Sequence, residues 1–204
     1  MSLAKRISKQ KANFVGTAVA LDVETTGLSP DSEEIVELAI TLFRFDRVNG
    51  RLLEVVSQYS GLREPSCRIS RAASEVHGIM RRKVRGQQLN YRRVREMLRQ
   101  AEFVVAHYAT FDQSFVERLI PSSRKKSWLC SRDGINWRAR GFTDRSLEEL
   151  AAAHEVQNPH AHRAAGDVAA LLALLSFRPS PRSRPYLYEL LRNAGVIRSR
   201  QRRT

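Results

Sequence analysis

The run FVGTAVALDVE, residues 14–24, constrains the fold more than any other stretch of the chain. Its small and apolar residues read as a buried strand. Asp22 and Glu24 then appear at the strand's exit. Residues two apart in a strand project from the same face, so these carboxylates act as a pair. At the edge of an apolar element such a pair needs water, an opposing cation or a metal ion. A strand end emerging into solvent also carries acids, so the pair alone leaves both readings open.

The segments that follow extend the pattern. TTGLSPDSEE, residues 25–34, supplies the Gly, Pro, Ser and Asp of a loop. IVELAITLFRF (35–45) and LLEVVSQYS (52–60) read as second and third strands, and DRVNG (46–50) as the hairpin connection between them. The period then changes. AASEVHGIM (72–80) predicts a short helix ending near Gly78. LNYRRVREMLRQA (89–101) places Leu89, Val94, Met97 and Leu98 on one face and arginines elsewhere, a basic amphipathic helix. EFVVAHY (102–108) is a short buried strand. TFDQSFVERLI follows as a helix with Phe111, Phe115, Val116 and Leu119 inward, stopped by Pro121. SWLCSRD (127–133) reads as a strand. SLEELAAAHEV has Ser146 and Glu149 at capping-box spacing. AHRAAGDVAALLALLSF (161–177) is the last strong helix; Pro179, Pro181 and Pro185 then mark a linker before YLYELLRNAG, a terminal helix candidate. Strands followed by alternating strands and helices predict an α/β layer fold, with three antiparallel strands opening a mixed sheet. Such sheets bind ligands at the carboxyl ends of their strands, where Asp22 sits.

The charge balance narrows the partners. Against 21 acids stand 35 lysines and arginines, a formal net charge of +14. Residues 81–99 hold eight basic side chains and one acid, Glu96; residues 177–204 hold another eight and one acid, Glu189. A nucleic-acid backbone is the expected anionic partner. No apolar run approaches the roughly 18 residues of a membrane span. The basic N-terminus lacks the apolar core of a secretory signal. Cys67 and Cys130 make neither a disulfide framework nor a zinc knuckle; both are expected as small buried side chains in a reducing, cytoplasmic compartment.

Two further acids complete a pattern. Asp112 lies at the start of a predicted helix just beyond the apolar strand 102–108. Asp167 opens an otherwise apolar helix, with His162 five residues earlier on its approach. Each has a local reading as a helix-terminal charge, and His154 and His160 read as incidental. Together, Asp22, Glu24, Asp112 and Asp167 have one common explanation: convergence on two divalent ions, Mg2+ or Mn2+, which prefer hard oxygen ligands. Two such ions about 3.5–4 Å apart support in-line phosphoryl displacement. His162, with an ordinary pKa near 6.5, suits removal of a proton from the attacking water. Thr25, Thr26 and Gly27 offer hydroxyls and accessible backbone beside that site.

In order and spacing, LDVETTG, AHYATFD and HRAAGD resemble the three motifs of the DEDDh 3′–5′ exonucleases, the family of the proofreading epsilon subunit of bacterial DNA polymerase III. The likeness covers roughly residues 14–176. It implies a ribonuclease-H-like mixed sheet flanked by helices. It also implies Asp22, Glu24, Asp112 and Asp167 as metal ligands and His162 as general base. Thr25, Thr26 and Gly27 would line the terminal-nucleotide pocket, and His77 in VHGI would be a further substrate contact. The expected organisation is a basic extension (1–13), an exonuclease domain (14–176) and a Pro/Arg-rich extension (177–204) with a short helix. The expected substrate is the 3′ end of a single DNA strand, cut to nucleoside 5′-monophosphates in proofreading or repair. A DNA polymerase or another replication or repair protein is the candidate protein partner. RNA trimming and non-catalytic nucleic-acid binding are the alternatives. One position departs from the family pattern: Tyr108 stands where an asparagine often follows the motif histidine.

Overall fold

The computed structural model describes residues 14–197. Five strands form one sheet: β1 (Val15–Thr25), β2 (Ile35–Asp46), β3 (Leu52–Leu62), β4 (Phe103–Ala106) and β5 (Ser127–Cys130). Their order is β3-β2-β1-β4-β5. The first three pair antiparallel, while β4 joins β1 and β5 joins β4 in parallel. The helices are α1 (Arg71–His77), α2 (Arg81–Val84), α3 (Tyr91–Gln100), α4 (Ala109–Leu119), α5 (Ser131–Gly134), α6 (Leu147–Ala153), α7 (Ala164–Ser176) and α8 (Tyr186–Asn193). The expected α/β architecture is therefore present, with a mixed central sheet between helical layers. The SWLCSRD run is strand only as far as Cys130 and then turns into α5.

Alternation along β1 divides the core. Val19, Leu21 and Val23 pack with Val94, Met97 and Leu98 of α3 and Phe115 and Val116 of α4. Ala18 and Ala20 face the other layer, with Val168, Leu171 and Leu175 of α7. Small side chains here let α7 lie close to the sheet. Asp22 and Glu24 continue this same alternate set toward the N-terminus of α7. A register shift between Glu24 and Thr25 ends the regular pairing with β2 just beyond the acids.

The chain after Phe177 also enters the core. Tyr186, Leu187, Leu190 and Leu191 of α8 join the cluster around α7, and Leu187 is 0% exposed. Trp137, Phe142, Phe177 and Tyr186 enclose His154, whose Nε2 lies 2.8 Å from the Tyr186 hydroxyl. At the β2–β3 turn, Gly50 has φ 70°, and a Cβ there would come within 2.4 Å of Tyr188 Cα. The turn and the last helix thus touch through a glycine. Cys67 and Cys130, expected to be buried, are only partly so. Among the described residues, no helix is long and apolar enough to cross a membrane. The basic N-terminal segment 1–13 and the last residues of the C-terminal extension, 198–204, lie outside the described residues.

Because α8 closes the core, Leu187→Ala is expected to lower the unfolding free energy by about 2–5 kcal/mol, the usual result of truncating a fully buried leucine. Urea denaturation measures this. An effect below about 0.5 kcal/mol, as at an exposed site, would show that α8 is peripheral.

Candidate active site

Three elements bring the acids together. Asp22 and Glu24 come from the end of β1 and Asp167 from the first turn of α7; one ligand oxygen from each lies within 4.8 Å of the others. These three can coordinate a divalent ion. Asp112, in the first turn of α4, is 4% exposed and lines the same cleft. Its Oδ1 accepts the Val23 N–H at 3.1 Å. The β1–β4 pairing stops at Ala20 and Val105, so Asp112 satisfies a strand amide beyond the end of the shorter neighbour.

The acids raise one another's pKa. Burial, then the charges of Asp112, Glu24, Asp167 and Glu37, holds Asp22 well above the carboxylate range. Glu24 is pushed up to about 8 by burial and then by Asp167, Glu37 and Asp112, with Arg163 opposing. Asp112 is also pushed up to about 8, chiefly by burial, against the Val23 hydrogen bond. Burial raises Asp167 too, while Asn158 and His162 oppose. Crowded hard-oxygen donors with elevated pKa values are suited to a divalent cation, whose charge relieves their repulsion.

Arg163, the cation that opposes the rise at Glu24, is already engaged. Arg163 donates to both oxygens of Glu37, from Nε at 2.9 Å and Nη2 at 2.6 Å. Glu37 also accepts the Ala164 N–H at 3.2 Å, capping the start of α7. A buried acid of β2 thus anchors the turn that carries both His162 and Asp167. Sequence reading missed Glu37. Its one signal was a lone acid inside the apolar run IVELAITLFRF.

His162 lines the cleft with the acids. Its φ is 58°, in the left-handed region that non-glycine residues seldom occupy. Its Nε2 lies 3.6 Å from Glu148, and its side chain is 49% exposed, accessible to a water in the cleft. The loop before α7 passes tightly over Gly166, where a Cβ would meet the His160 carbonyl oxygen at 2.4 Å. Asn158 Nδ2 donates to Asp167 Oδ1 at 2.7 Å.

Beside the acids lies an apolar cavity of about 590 Å3, with Glu24, Thr25, Gly27, Val76, His77 and Phe111 in its wall. Thr25 and Gly27, two of the three residues expected to line a substrate pocket, are in this wall. Thr26 is not: it is 0% exposed and absent from the cavity wall. Its hydroxyl donates to Glu33 and accepts the Glu34 N–H. His77 is buried. The Ile79 N–H donates to its Nδ1 at 2.9 Å, leaving the proton on Nε2, which donates to the Thr25 carbonyl at 3.1 Å. His77 thus fixes the backbone of the wall. On the other side of the acids, His107 Nε2 donates to the Arg145 carbonyl and Nδ1 accepts from Ser131, which ties motif two to the segment before α6.

Comparisons with known proteins agree with this fold. A family model described as Exonuclease (RNase_T) matches residues 19–175. The DNA polymerase III PolC-type proteins of Thermotoga maritima and Thermotoga petrophila are each 32% identical over 127 residues, 59% of this chain. The chain spans 8% of the length of these curated relatives. Among solved structures, Exonuclease X in complex with 5′ overhanging duplex DNA is 25% identical, with a TM-score of 0.56 over 84% of this chain and 99% of its own. E. coli Exonuclease I in complex with a dT13 oligonucleotide shares the fold at 18% identity and a TM-score of 0.61, over 79% of this chain and 40% of its own.

The electrostatics set a pH dependence. These acids have folded pKa values above the ordinary carboxylate range near 4. Their contribution to stability is complete below about pH 4 and is lost as pH rises through the raised folded values, which for Glu24 and Asp112 are about 8. In EDTA, the melting temperature of the wild type is expected to fall from pH 5 to 9 relative to that of Asp22→Asn, which melts higher at pH 8. Mn2+ should restore the wild type most strongly at the alkaline end. Parallel melting curves for the two proteins would refute this account.

Proposed function

Because the chain belongs to the Exonuclease (RNase_T) family and has its DEDDh, ribonuclease-H-like architecture, we propose that it is a metal-dependent 3′–5′ exonuclease of single-stranded DNA. The observation that carries this reading is the convergence of Asp22, Glu24 and Asp167 beside a cavity large enough for one nucleoside. The DNA-bound states of Exonuclease I and Exonuclease X support DNA as the polymer. The likeness to a segment of PolC-type polymerases supports a setting in proofreading or repair, beside a polymerase. In this reading, residues 14–176 are the catalytic domain and Tyr186–Ile197 completes its core.

Asp22, Glu24, Asp112 and Asp167 would hold two divalent ions, Mg2+ or Mn2+. When bound, such ions offset the repulsion of the acids and stabilise charge on the attacking and leaving oxygens of the displacement. The chain's own residues do the rest. Thr25 and Gly27 line the pocket for the 3′-terminal nucleoside, with Phe111 as an aromatic wall and His77 holding the Thr25 carbonyl in place. His162 Nε2 accepts the proton of the attacking water. The Glu37–Arg163 pair keeps His162 and Asp167 on one rigid turn. The product is a nucleoside 5′-monophosphate. Arg82, Lys83 and Arg85, all exposed, follow directly after α1 and supply phosphate contacts for the remaining strand.

A time course on 3′- and 5′-labelled DNA and RNA single strands, with Mg2+, Mn2+ or EDTA, tests the reaction. Stepwise shortening of DNA from the 3′ end is expected only with metal. Loss from the 5′ end, internal cuts or a preference for RNA would overturn the corresponding part of the proposal. Asp22→Ala and Asp167→Ala should abolish release. His162→Ala should lower kcat by about 10²–10⁴-fold, the range of general-base catalysis. Full activity in Asp22→Ala would sink the assignment.

A further inference from the structure

We infer that Tyr108 is a stacking platform for the nucleobase immediately 5′ of the scissile phosphate. This rests on the exonuclease reading above and adds a contact with the second nucleotide. A 3′-terminal phosphodiester joins two nucleosides. With its phosphate at Asp22, Glu24 and Asp167, the 3′-terminal nucleoside takes the 590 Å3 cavity, and its 5′ neighbour lies on the other side of that phosphate. The cleft continues past the acids into another lobe of about 250 Å3, and Tyr108 lines it. Val23, Glu24 and Phe111 are common to both lobes, so a strand can run from one to the other.

Tyr108 has the properties of a platform. It is 48% exposed, although it sits between the buried His107 and the first residue of α4. The Arg132 guanidinium lies over its ring, 4.6 Å from the centroid. That contact holds the ring by a cation–π attraction and leaves its other face for a ligand. The Arg132 backbone is itself fixed by its N–H bond to the His107 carbonyl at 3.0 Å. Aromatic side chains beside cations are the usual means of holding single-stranded bases without regard to sequence. His162 and Tyr108 come from different parts of the cleft wall, the turn before α7 and the β4–α4 junction.

The test uses the full chain and DNA single strands carrying 2-aminopurine at the penultimate or the fourth position from the 3′ end. Calcium is the metal, since it takes oxygen ligands. Stacking on Tyr108 should quench the penultimate probe in the wild type and in Tyr108→Phe, but not in Tyr108→Ala. The fourth-position probe should respond alike in all three. Equal quenching in Tyr108→Ala, or none in the wild type, overturns the inference. Kinetics supply a second arm, whose first measurement uses the wild type alone. An abasic penultimate nucleotide should lower wild-type kcat/KM roughly tenfold, the worth of one base–aromatic stack. Tyr108→Ala should lose about as much on the ordinary strand and little more on the abasic one. Additive losses overturn the inference while leaving the exonuclease assignment intact. Absence of metal-dependent release from every strand refutes the exonuclease reading itself, and the fluorescence arm still decides stacking.

Discussion

Four carboxylates that repel one another have to be held together by the fold, because nothing in their own chemistry does it. Burial and mutual charge push Glu24 and Asp112 up to about 8 and raise Asp22 as well, and burial raises Asp167. The framework supplies the opposing work. Apolar packing on both faces of β1 fixes the strand that carries Asp22 and Glu24. The Val23 amide holds Asp112, and Asn158 holds Asp167. The Glu37–Arg163 pair anchors the start of α7. The site is thus preorganised by contacts whose strength does not depend on a ligand, and its unfavourable charge is the driving force for taking up cations.

Much of this was legible in the sequence because it follows from short periods. Alternation along residues 14–24 put Asp22 and Glu24 on one face, and the structure shows them continuing the Ala18–Ala20 face toward α7. The apolar positions of 89–101 and 110–120 matched the buried faces of α3 and α4. What could not be read was decided by distant partners. Glu37 lies in a run where every neighbour is apolar, and its partner is 126 residues away. Thr26 looked equivalent to Thr25, but the register shift at the strand's end turns its hydroxyl inward to Glu33 and Glu34. The prolines after Phe177 suggested an appendage, yet the apolar residues beyond them complete the cluster around α7.

The electrostatic contrast is large. In a chain of net charge +14, Arg163 is the cation that acts on Glu24, and Glu37 neutralises it. The exposed cations of α2 and α3 instead occupy the outer surface. Attraction of a polyanion and tolerance of a crowded acidic centre are therefore separated in space. Salt screens the first, acting over solvent, more strongly than the second, which is partly buried.

Gly166 gives this arrangement an unexpected vulnerability. It has no functional group, touches no substrate in the proposed reaction and is part of an ordinary helical turn. Yet the His160 carbonyl oxygen occupies the space its side chain would need. Any larger residue must displace the loop that leads into His162. Genetic loss of activity at this position would look like damage to chemistry, though every chemical group of the site remained in place. A variant at Gly166 would therefore be misjudged by any method that scores residues by what they can donate, accept or ligate; what matters there is the room left for a neighbour.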